Sequence, residues 1–211
     1  MSKIIVFNSV TLDGVMQAPG RPDEDRRGGF THGGWGAQYA DEESGKLAAE
    51  GMQSTGAMLL GRRTYEDLLP HWNKAGGPFK DMLNNMPKYV ASTTLKEPLP
   101  WPNSSLLDGE LTKAVAALRR KRGKDIVILG SGEVVRKLLA KQLVDELILL
   151  IHPLVLGDGQ RLFDDGGPGA VFDLADTRTT TTGVIAARAR PCSFGLCASR
   201  NVPFFAVRSQ S

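Results

Sequence analysis

The chain has 211 residues, 41% of them hydrophobic, and a formal net charge of +3. This composition suits one large domain or two small ones with a substantial core. No stretch approaches the ~20 apolar residues of a membrane span. The low net charge argues against a nucleic-acid-binding protein. The densest basic cluster, residues 119–122, follows apolar residues at helical spacing and suits the end of a helix.

The first residues predict a strand and no secretory signal. Lys3 precedes the apolar run Ile4–Phe7, which has about four residues against the ~7–15 of a signal-peptide core. A tetrahedral metal site is not predicted, because no histidine or further cysteine lies near Cys192 and Cys197. We therefore expect a cytoplasmic protein without a metal centre.

Predicted strands and helices alternate along most of the chain. Apolar runs predict strands over 3–10, 56–61, 88–93, 125–129 and 144–157, the last interrupted at Pro153. Helical spacing and caps predict helices over 41–53, 62–72, 110–122 and 133–141. Strand-like stretches, 177–190 and 202–208, dominate afterwards. This order predicts a mostly parallel sheet covered by helices, with antiparallel strands at one edge, in a single domain over 1–211.

A glycine- and charge-rich segment, residues 11–36, separates the first strand from the first helix. It is too long and too polar for an ordinary connection. Long loops inside compact domains are usually active-site lids or disordered segments.

A glycine turn follows the strand over 125–129. Gly130 and Gly132 allow close approach of a ligand to the backbone, Ser131 adds a hydroxyl, and the next helix directs free N–H groups at the same place. The turn therefore suits a phosphate, with a plain strand–helix turn as the alternative. It is not the dinucleotide fingerprint of a classical Rossmann domain, because Val135 replaces the third glycine and the turn lies late in the chain.

A second turn of the same kind follows the strand over 56–61. Arg62 and Arg63 at a helix N-terminus oppose the helix dipole, which favours a bound anion there, and Thr64 adds a hydroxyl. The alternative is that the arginines are simply exposed. A third turn, 91–94, has Lys96 nearby and is either another phosphate contact or an ordinary Ser/Thr turn.

Five motifs in a fixed order resemble one family. They are FNSVTLDGVM, LLGRRTYE, YVASTTL, ILGSGEVVRKLL and LVDELILLIHPLVLGDGQRLF; they lie within residues 7–163, and the resemblance covers roughly residues 3–185. The chain resembles the dihydrofolate-reductase-like family, in particular the reductase domain of the bacterial riboflavin-pathway protein and its stand-alone deaminase–reductase relatives. The resemblance implies a three-layer α/β/α sandwich that binds NADPH and pairs as a homodimer.

The resemblance also implies which residues bind the cofactor. The two strand–helix turns would meet its phosphates and nicotinamide side, and Ser92 and Thr93 fall where the family often has Ser-Arg for the 2′-phosphate of adenosine. Thr93 lacks that positive charge, so the choice between NADPH and NADH stays open. The remaining implied residues are Gly61, Arg62, Arg63, Thr64, Gly130, Ser131, Gly132, Glu133 and Val134.

The segment Asp13–Trp35 corresponds to the family's mobile loop over the nicotinamide. Trp35 would either anchor this loop or stack on a ring ligand, and His32 would either donate a proton or be exposed. The predicted proton donors are Asp41 and Glu42 at the first helix, then Asp13. The alternative roles are helix capping and dipole interaction for the first two and a turn for Asp13.

Two functions follow from the resemblance. The first is an NADPH-dependent reductase of a pterin-like, aminopyrimidine or other conjugated C=N or C=O substrate. The second is a nicotinamide-nucleotide-binding module without turnover. Residues 188–211 depart from the family's usual C-terminal strand, either as a divergent end or through a shifted reading frame.

Overall fold

The structure is a computed structural model, and it describes residues 1–121, 123–163, 165–167 and 169–192. Its strands are β1 (Ile4–Thr11), β2 (Thr55–Gly61), β3 (Lys88–Ala91), β4 (Ser104–Leu106), β5 (Asp125–Leu129), β6 (Glu146–His152), β7 (Phe172–Thr179) and β8 (Ile185–Pro191). Its helices are α1 (Glu42–Met52), α2 (Arg62–Ala75), α3 (Gly77–Asn85), α4 (Leu111–Arg120) and α5 (Gly132–Leu139). In this part of the chain no helix is both long enough and apolar enough to cross a membrane.

The described strands form one sheet in the order β4-β3-β2-β5-β1-β6-β8-β7. All pairs from β4 to β6 are parallel, whereas β8 is antiparallel to β6 and β7 is antiparallel to β8. The predicted architecture, a mostly parallel sheet with antiparallel C-terminal edge strands, is therefore confirmed.

Alternating side chains bury both faces of this sheet. On β1, Ile4 and Val6 belong to the core beneath α4 and α5, whereas Ile5 and Phe7 lie on the opposite face with Met52 of α1. Helices α2 and α3 cover that second face beside β2 and β3. Burial of both faces is what a parallel sheet requires, and it gives three layers, α/β/α.

Two elements escaped prediction, and two predicted strands end early, of which the strand predicted over 88–93 ends at Ala91. The stretch predicted over 177–190 is divided by a turn between β7 and β8. Helix α3 starts at Gly77 with Gly76 as its N-cap residue, both with positive φ, so it carries no ordinary N-cap signal. Strand β4 has only three residues, too few for a pattern. The strand predicted over 144–157 ends at His152 because Pro153 follows, and the chain turns there with a bond from Leu154 N to the His152 carbonyl (2.8 Å).

The predicted atypical tail is partly regular structure. Residues 188–191 complete β8, where Arg188 and Arg190 pair with the buried carboxylate of Glu146 on β6 at 3.1 and 3.0 Å. The sequence departs from the family pattern after residue 187, yet the chain still forms a paired strand up to Pro191. Residues 193–211, with the strand predicted over 202–208, lie outside the described residues.

The segment after β1 (residues 12–36, the long loop) packs around a small core of its own. Val15, Ala18, Phe30 and Trp35 are buried together. At its base, Asp13 accepts hydrogen bonds from the backbone N–H groups of residues 156 and 157, which follow β6. The long loop is thus fixed to the carboxyl ends of β1 and β6.

Candidate functional site

The two strand–helix turns predicted from the sequence are hydrogen bonded to each other. Ser131 Oγ accepts from the backbone N–H of Gly61 (2.8 Å) and donates to Oγ1 of Thr64 (2.9 Å). Strands β2 and β5 are neighbours, so the N-termini of α2 and α5 meet at one edge of the sheet. The free N–H groups and dipoles of the two helices therefore lie at the same edge, an arrangement that suits an anion.

The backbone of the β5–α5 turn depends on its glycines. Gly130 and Ser131 are both left-handed, each with φ of 57°. A Cβ on Gly130 would lie 3.4 Å from Thr64 Oγ1, and one on Gly132 would lie 2.6 Å from Met16 Sδ. The missing Cβ atoms thus let α2 and the long loop approach the turn.

The third turn is joined to this site through Arg62. Its Nη1 donates to Oγ1 of Thr94 at 2.8 Å, and its Nε lies 3.6 Å from Glu66. The hydroxyl of Ser92 accepts from the backbone N–H groups of Thr94 and Leu95 at 3.1 and 2.9 Å, an ordinary Ser/Thr turn. A guanidinium is therefore held beside the turn that lacks a cation at Thr93.

The three turns line a cleft of about 1520 Å³. It crosses four adjacent strands, β3, β2, β5 and β1, which at ~4.8 Å between strands is about 14 Å. Phe7, Asn8 and Ser9 line its β1 end. Every predicted cofactor residue lies on its wall: Gly61, Arg62, Arg63, Thr64, Ser92, Thr93, Gly130, Ser131, Gly132, Glu133 and Val134.

The long loop forms another wall of the cleft and is fixed from within by Gln17. This buried amide donates to the carbonyls of Asp25 (3.2 Å) and Arg27 (3.0 Å) and accepts from the backbone N–H of Gln160 (2.9 Å). Trp35 Nε1 donates to the Gln17 carbonyl at 2.7 Å. Trp35 is buried and does not line the cleft, so its geometry fits the anchor role rather than stacking on a ligand.

An ion pair joins the long loop to α2 at Asp67, which lines the cleft. Arg21 binds Asp67 through both guanidinium nitrogens, Nη2 at 2.5 Å and Nη1 at 3.3 Å, with both side chains about a quarter to a third exposed. The bidentate geometry is the stronger form of an arginine–carboxylate bond. Sequence reasoning missed this pair, because nothing local relates a loop arginine to an acid on the second turn of a distant helix.

The acids predicted as proton donors do not line the cleft. Asp41 caps α1 through the backbone N–H of Ser44 (2.7 Å) and also accepts from the hydroxyl of Thr181 (2.6 Å). Glu42 is exposed and pairs with Lys46 at 2.8 Å. Their catalytic role stays a prediction, and the geometry favours the capping and dipole roles.

Asp13 likewise serves the loop rather than the cleft. Burial raises its pKa, but the Thr11 hydroxyl and the backbone N–H groups of Gly157 and Leu156 outweigh that effect and lower the pKa to about 2. An acid so stabilised as a carboxylate is a poor proton donor near neutral pH. His32 is exposed, edge-on to Phe30 with ring centroids 5.7 Å apart, and does not line the cleft.

The cleft has acids of its own that the sequence did not single out, among them Glu24 and Asp67. No group of three or more His, Cys, Asp or Glu among the described residues is arranged to hold a metal ion. The cleft wall supplies hydrogen-bond donors, positive charge and carboxyl groups.

A profile of the RibD C-terminal domain matches residues 2–186. The chain belongs to this family. A relative in sequence, the uncharacterized protein YyaP of Bacillus subtilis (strain 168), is 32% identical over 105 residues. The match covers 49% of this chain and 54% of YyaP, about half the length of that relative.

Solved structures show that this RibD C-terminal domain has the dihydrofolate-reductase-like fold. A protein of Shewanella sp. PV-4 ascribed to riboflavin biosynthesis aligns with a TM-score of 0.69 at 22% identity, covering 90% of this chain and 99% of that one. The Thermotoga maritima protein named diaminohydroxyphosphoribosylaminopyrimidine deaminase/5-amino-6-(5-phosphoribosylamino)uracil reductase gives 0.60 at 16%, covering 90% and 57%. Enterococcus faecalis dihydrofolate reductase, complexed with NADP(H), gives 0.59 at 13%, covering 90% and 97%. The predicted family and fold class are confirmed.

Proposed function

We propose that this RibD C-terminal domain is an NADPH-dependent reductase. The observation that carries the proposal is the hydrogen-bonded pair of turns, Gly61–Thr64 and Gly130–Val134, at the centre of a cleft that crosses four strands. The N–H groups of two helix N-termini and the arginines of α2 are the donors that a pyrophosphate needs.

The residues present fit a dinucleotide. A cleft about 14 Å across four strands, with its anion site in the middle, leaves room for a nucleoside on either side. The bound cofactor would supply the hydride. The turn over residues 91–94 and Arg62 would hold the adenosine end, which leaves the β1 end, with Asn8 and the long loop, for the reacting ring and the substrate.

The preference for NADPH rests on Arg62. Its guanidinium reaches the 91–94 turn through Thr94, so it supplies the positive charge that Thr93 lacks. A phosphate on the adenosine ribose would add a charge-assisted bond that NADH cannot make. Selectivity for NADPH therefore depends on a residue from α2 rather than on the turn itself.

The substrate class that we propose is a pterin, an aminopyrimidine or another small molecule with a conjugated C=N or C=O bond. Support comes from the names of the aligned structures, which include a uracil-type reductase and a dihydrofolate reductase. The walls of the β1 end combine apolar and amide groups, Phe7, Met16 and Asn8, which suit a flat polar ring.

A second candidate is a nicotinamide-nucleotide-binding module without turnover. The observation that favours it is that Asp41, Glu42 and Asp13, the predicted proton donors, do not line the cleft. The two candidates share the cofactor and differ in whether a substrate is reduced.

The test has two stages. Quenching of intrinsic fluorescence and isothermal titration calorimetry measure NADPH and NADH binding; a purified protein that binds neither contradicts both candidates. Absorbance at 340 nm then follows NADPH oxidation with dihydrofolate and with 5-amino-6-ribosylaminouracil. Oxidation that depends on either compound supports the reductase, whereas binding without turnover across a panel of pterins and pyrimidines supports the module.

A further inference from the structure

The carboxyl groups on the cleft wall differ in what holds them. Except for Glu24, each of these carboxyl groups forms an ion pair with a cation or caps a helix. The pairs are Asp25 with Arg27 (2.7 Å), Glu66 with Arg62 (3.6 Å), Asp67 with Arg21 (2.5 Å), Glu133 with Lys137 (2.7 Å), and Glu110 with the backbone N–H of Thr112 at the start of α4 (2.9 Å).

Glu24 is held by backbone groups alone. One oxygen, Oε2, accepts from the N–H groups of Gly20 (2.7 Å) and Arg21 (3.1 Å), and the partly buried side chain lines the cleft. Both bonds go to the same oxygen, so within the described residues Oε1 has no hydrogen-bond donor. A Cβ on Gly20 would lie 3.1 Å from Oε2, so the glycine at position 20 admits this close contact. The carboxyl is thus oriented by the loop with one oxygen left for a ligand.

We propose that Glu24 is the proton donor of the reduction. This inference rests on the proposed function. A hydride from the reduced nicotinamide forms a C–H bond at the carbon of the substrate C=N, the electron pair of the broken π bond moves to nitrogen, and the Glu24 O–H transfers its proton to that nitrogen. Glu24 is left as a carboxylate and regains a proton from solvent.

The surroundings of Glu24 favour its protonated form. Burial raises its pKa, and the carboxylate of Asp67 on α2 adds to the effect, whereas the N–H groups of Gly20 and Arg21 and the Arg21 guanidinium act in the opposite direction. The net pKa lies above the ordinary value of 4.5. A catalytic acid needs a pKa raised toward the working pH, and the pKa of Glu24 is shifted in that direction.

The position of Glu24 in the fold agrees with this role. The long loop leaves the sheet at the carboxyl end of β1, the end of the cleft opposite the 91–94 turn. The ion pair of Arg21 with Asp67 fixes the residues beside Glu24 to α2. A proton donor on this loop would be delivered to the substrate only when the loop is closed, which keeps water from the hydride.

The test compares Glu24→Gln with Asp23→Asn. Both remove one charge from the same loop, but Asp23 is 70% exposed and does not line the cleft. With NADPH and dihydrofolate or 5-amino-6-ribosylaminouracil, we expect Glu24→Gln to lower kcat on the order of 10²–10⁴-fold and to abolish the fall of kcat at high pH. We expect Asp23→Asn to keep kcat within about twofold of the wild-type value and to keep the fall of kcat at high pH. NADPH affinity is retained in both variants.

A second readout does not depend on turnover. In protein labelled with ¹³C at the glutamate carboxyl carbons, one resonance titrates above the ordinary glutamate range, and this resonance is absent from Glu24→Gln. Glu24→Asp also restores part of kcat. A Glu24 resonance with an ordinary pKa, or full activity of Glu24→Gln, overturns the inference. Wild-type protein that binds no NADPH contradicts the proposed function instead.

Discussion

Ser131 Oγ accepts a hydrogen bond from the Gly61 backbone N–H at 2.8 Å, and this contact joins two turns that lie 70 residues apart in the chain. The hydroxyl is fully engaged, because it also donates to Thr64 at 2.9 Å. Ser131 therefore holds the two turns in shape, and in the proposed function the phosphate donors would be the N–H groups and arginines around it.

Two substitutions of Ser131 distinguish the stability contributed by its hydrogen bond to Gly61 from the cost of its left-handed backbone. Ser131→Ala leaves the Gly61 N–H without its partner and keeps a side chain in the left-handed region, so we expect it to lower the free energy of unfolding by about 1–3 kcal/mol. Ser131→Gly loses the same bond but relieves about 1 kcal/mol of strain. Urea denaturation ranks the variants; equal stability of Ser131→Ala and wild type would contradict the role.

The Arg21–Asp67 pair is expected to control how fast the cofactor leaves. Asp67→Asn removes the bidentate bond between the long loop and α2, so the loop opens more often while the core is unchanged. We expect release of NADPH to speed up several-fold, with a change of less than about 1 kcal/mol in unfolding free energy. Stopped-flow fluorescence measures release, and Arg21→Gln added to Asp67→Asn produces no further change if the pair acts as a unit.

Selectivity between the two dinucleotides is expected to follow Arg62. Arg62→Gln removes the guanidinium beside the 91–94 turn, so NADPH affinity falls about 10–100-fold while NADH affinity changes little. Thr93→Arg adds a charge to the turn and raises the NADPH preference. Titration calorimetry with both dinucleotides provides the comparison, and a parallel loss of both affinities in Arg62→Gln would place the arginine on the pyrophosphate instead.

The anchor of the long loop is expected to weaken in acid. The native pKa of Asp13 is about 2 against an ordinary 3.8, so the native state favours the carboxylate. The corresponding stability is present above about pH 4 and is lost as the pH falls toward 2. Asp13→Asn should lower unfolding free energy by about 1 kcal/mol at pH 7 and flatten the acid dependence between pH 4 and 2. If the unfolding free energy of Asp13→Asn fell with pH as steeply as that of the wild type, another group would be responsible for the acid dependence.

We propose a two-fold homodimer through the β7 edge. Among the described strands, β7 has a partner on one side only, and its residues 174–179 are exposed, with Leu174 at 63%. Such an edge pairs readily with a second strand. Light scattering should give twice the chain mass of 22.8 kDa, and Leu174→Lys should shift it toward one chain. Wild-type protein at the monomer mass would refute the dimer.

The turns of the site could be predicted because their signals are local. A buried strand, a glycine and a helix start follow one another at 61 and again at 130, and parallel strands bring such turns to one edge. Glu24 could not be found in this way. Its chemistry depends on two backbone N–H groups of its own loop and on an acid of α2, and no spacing in the sequence encodes either contact.

Asp41 illustrates the opposite case. Capping and catalysis both place an acid at a helix start, so the residue type cannot distinguish them. The choice depends on where the helix end points, which is set when the turn between β7 and β8 packs against α1 and Thr181 binds Asp41. Residues so far apart in the chain give no local signal of that contact.

The sheet order also has a consequence for synthesis on the ribosome. Strand β1 emerges first, yet its neighbours are β5 and β6, through pairs such as Ile4 with Ile126 and Ile5 with Glu146. Both edges of β1, with its apolar residues, stay uncovered until most of the chain has been translated. Non-local pairing of this kind slows folding, and β1 has neither of its sheet partners until β5 and β6 have been translated.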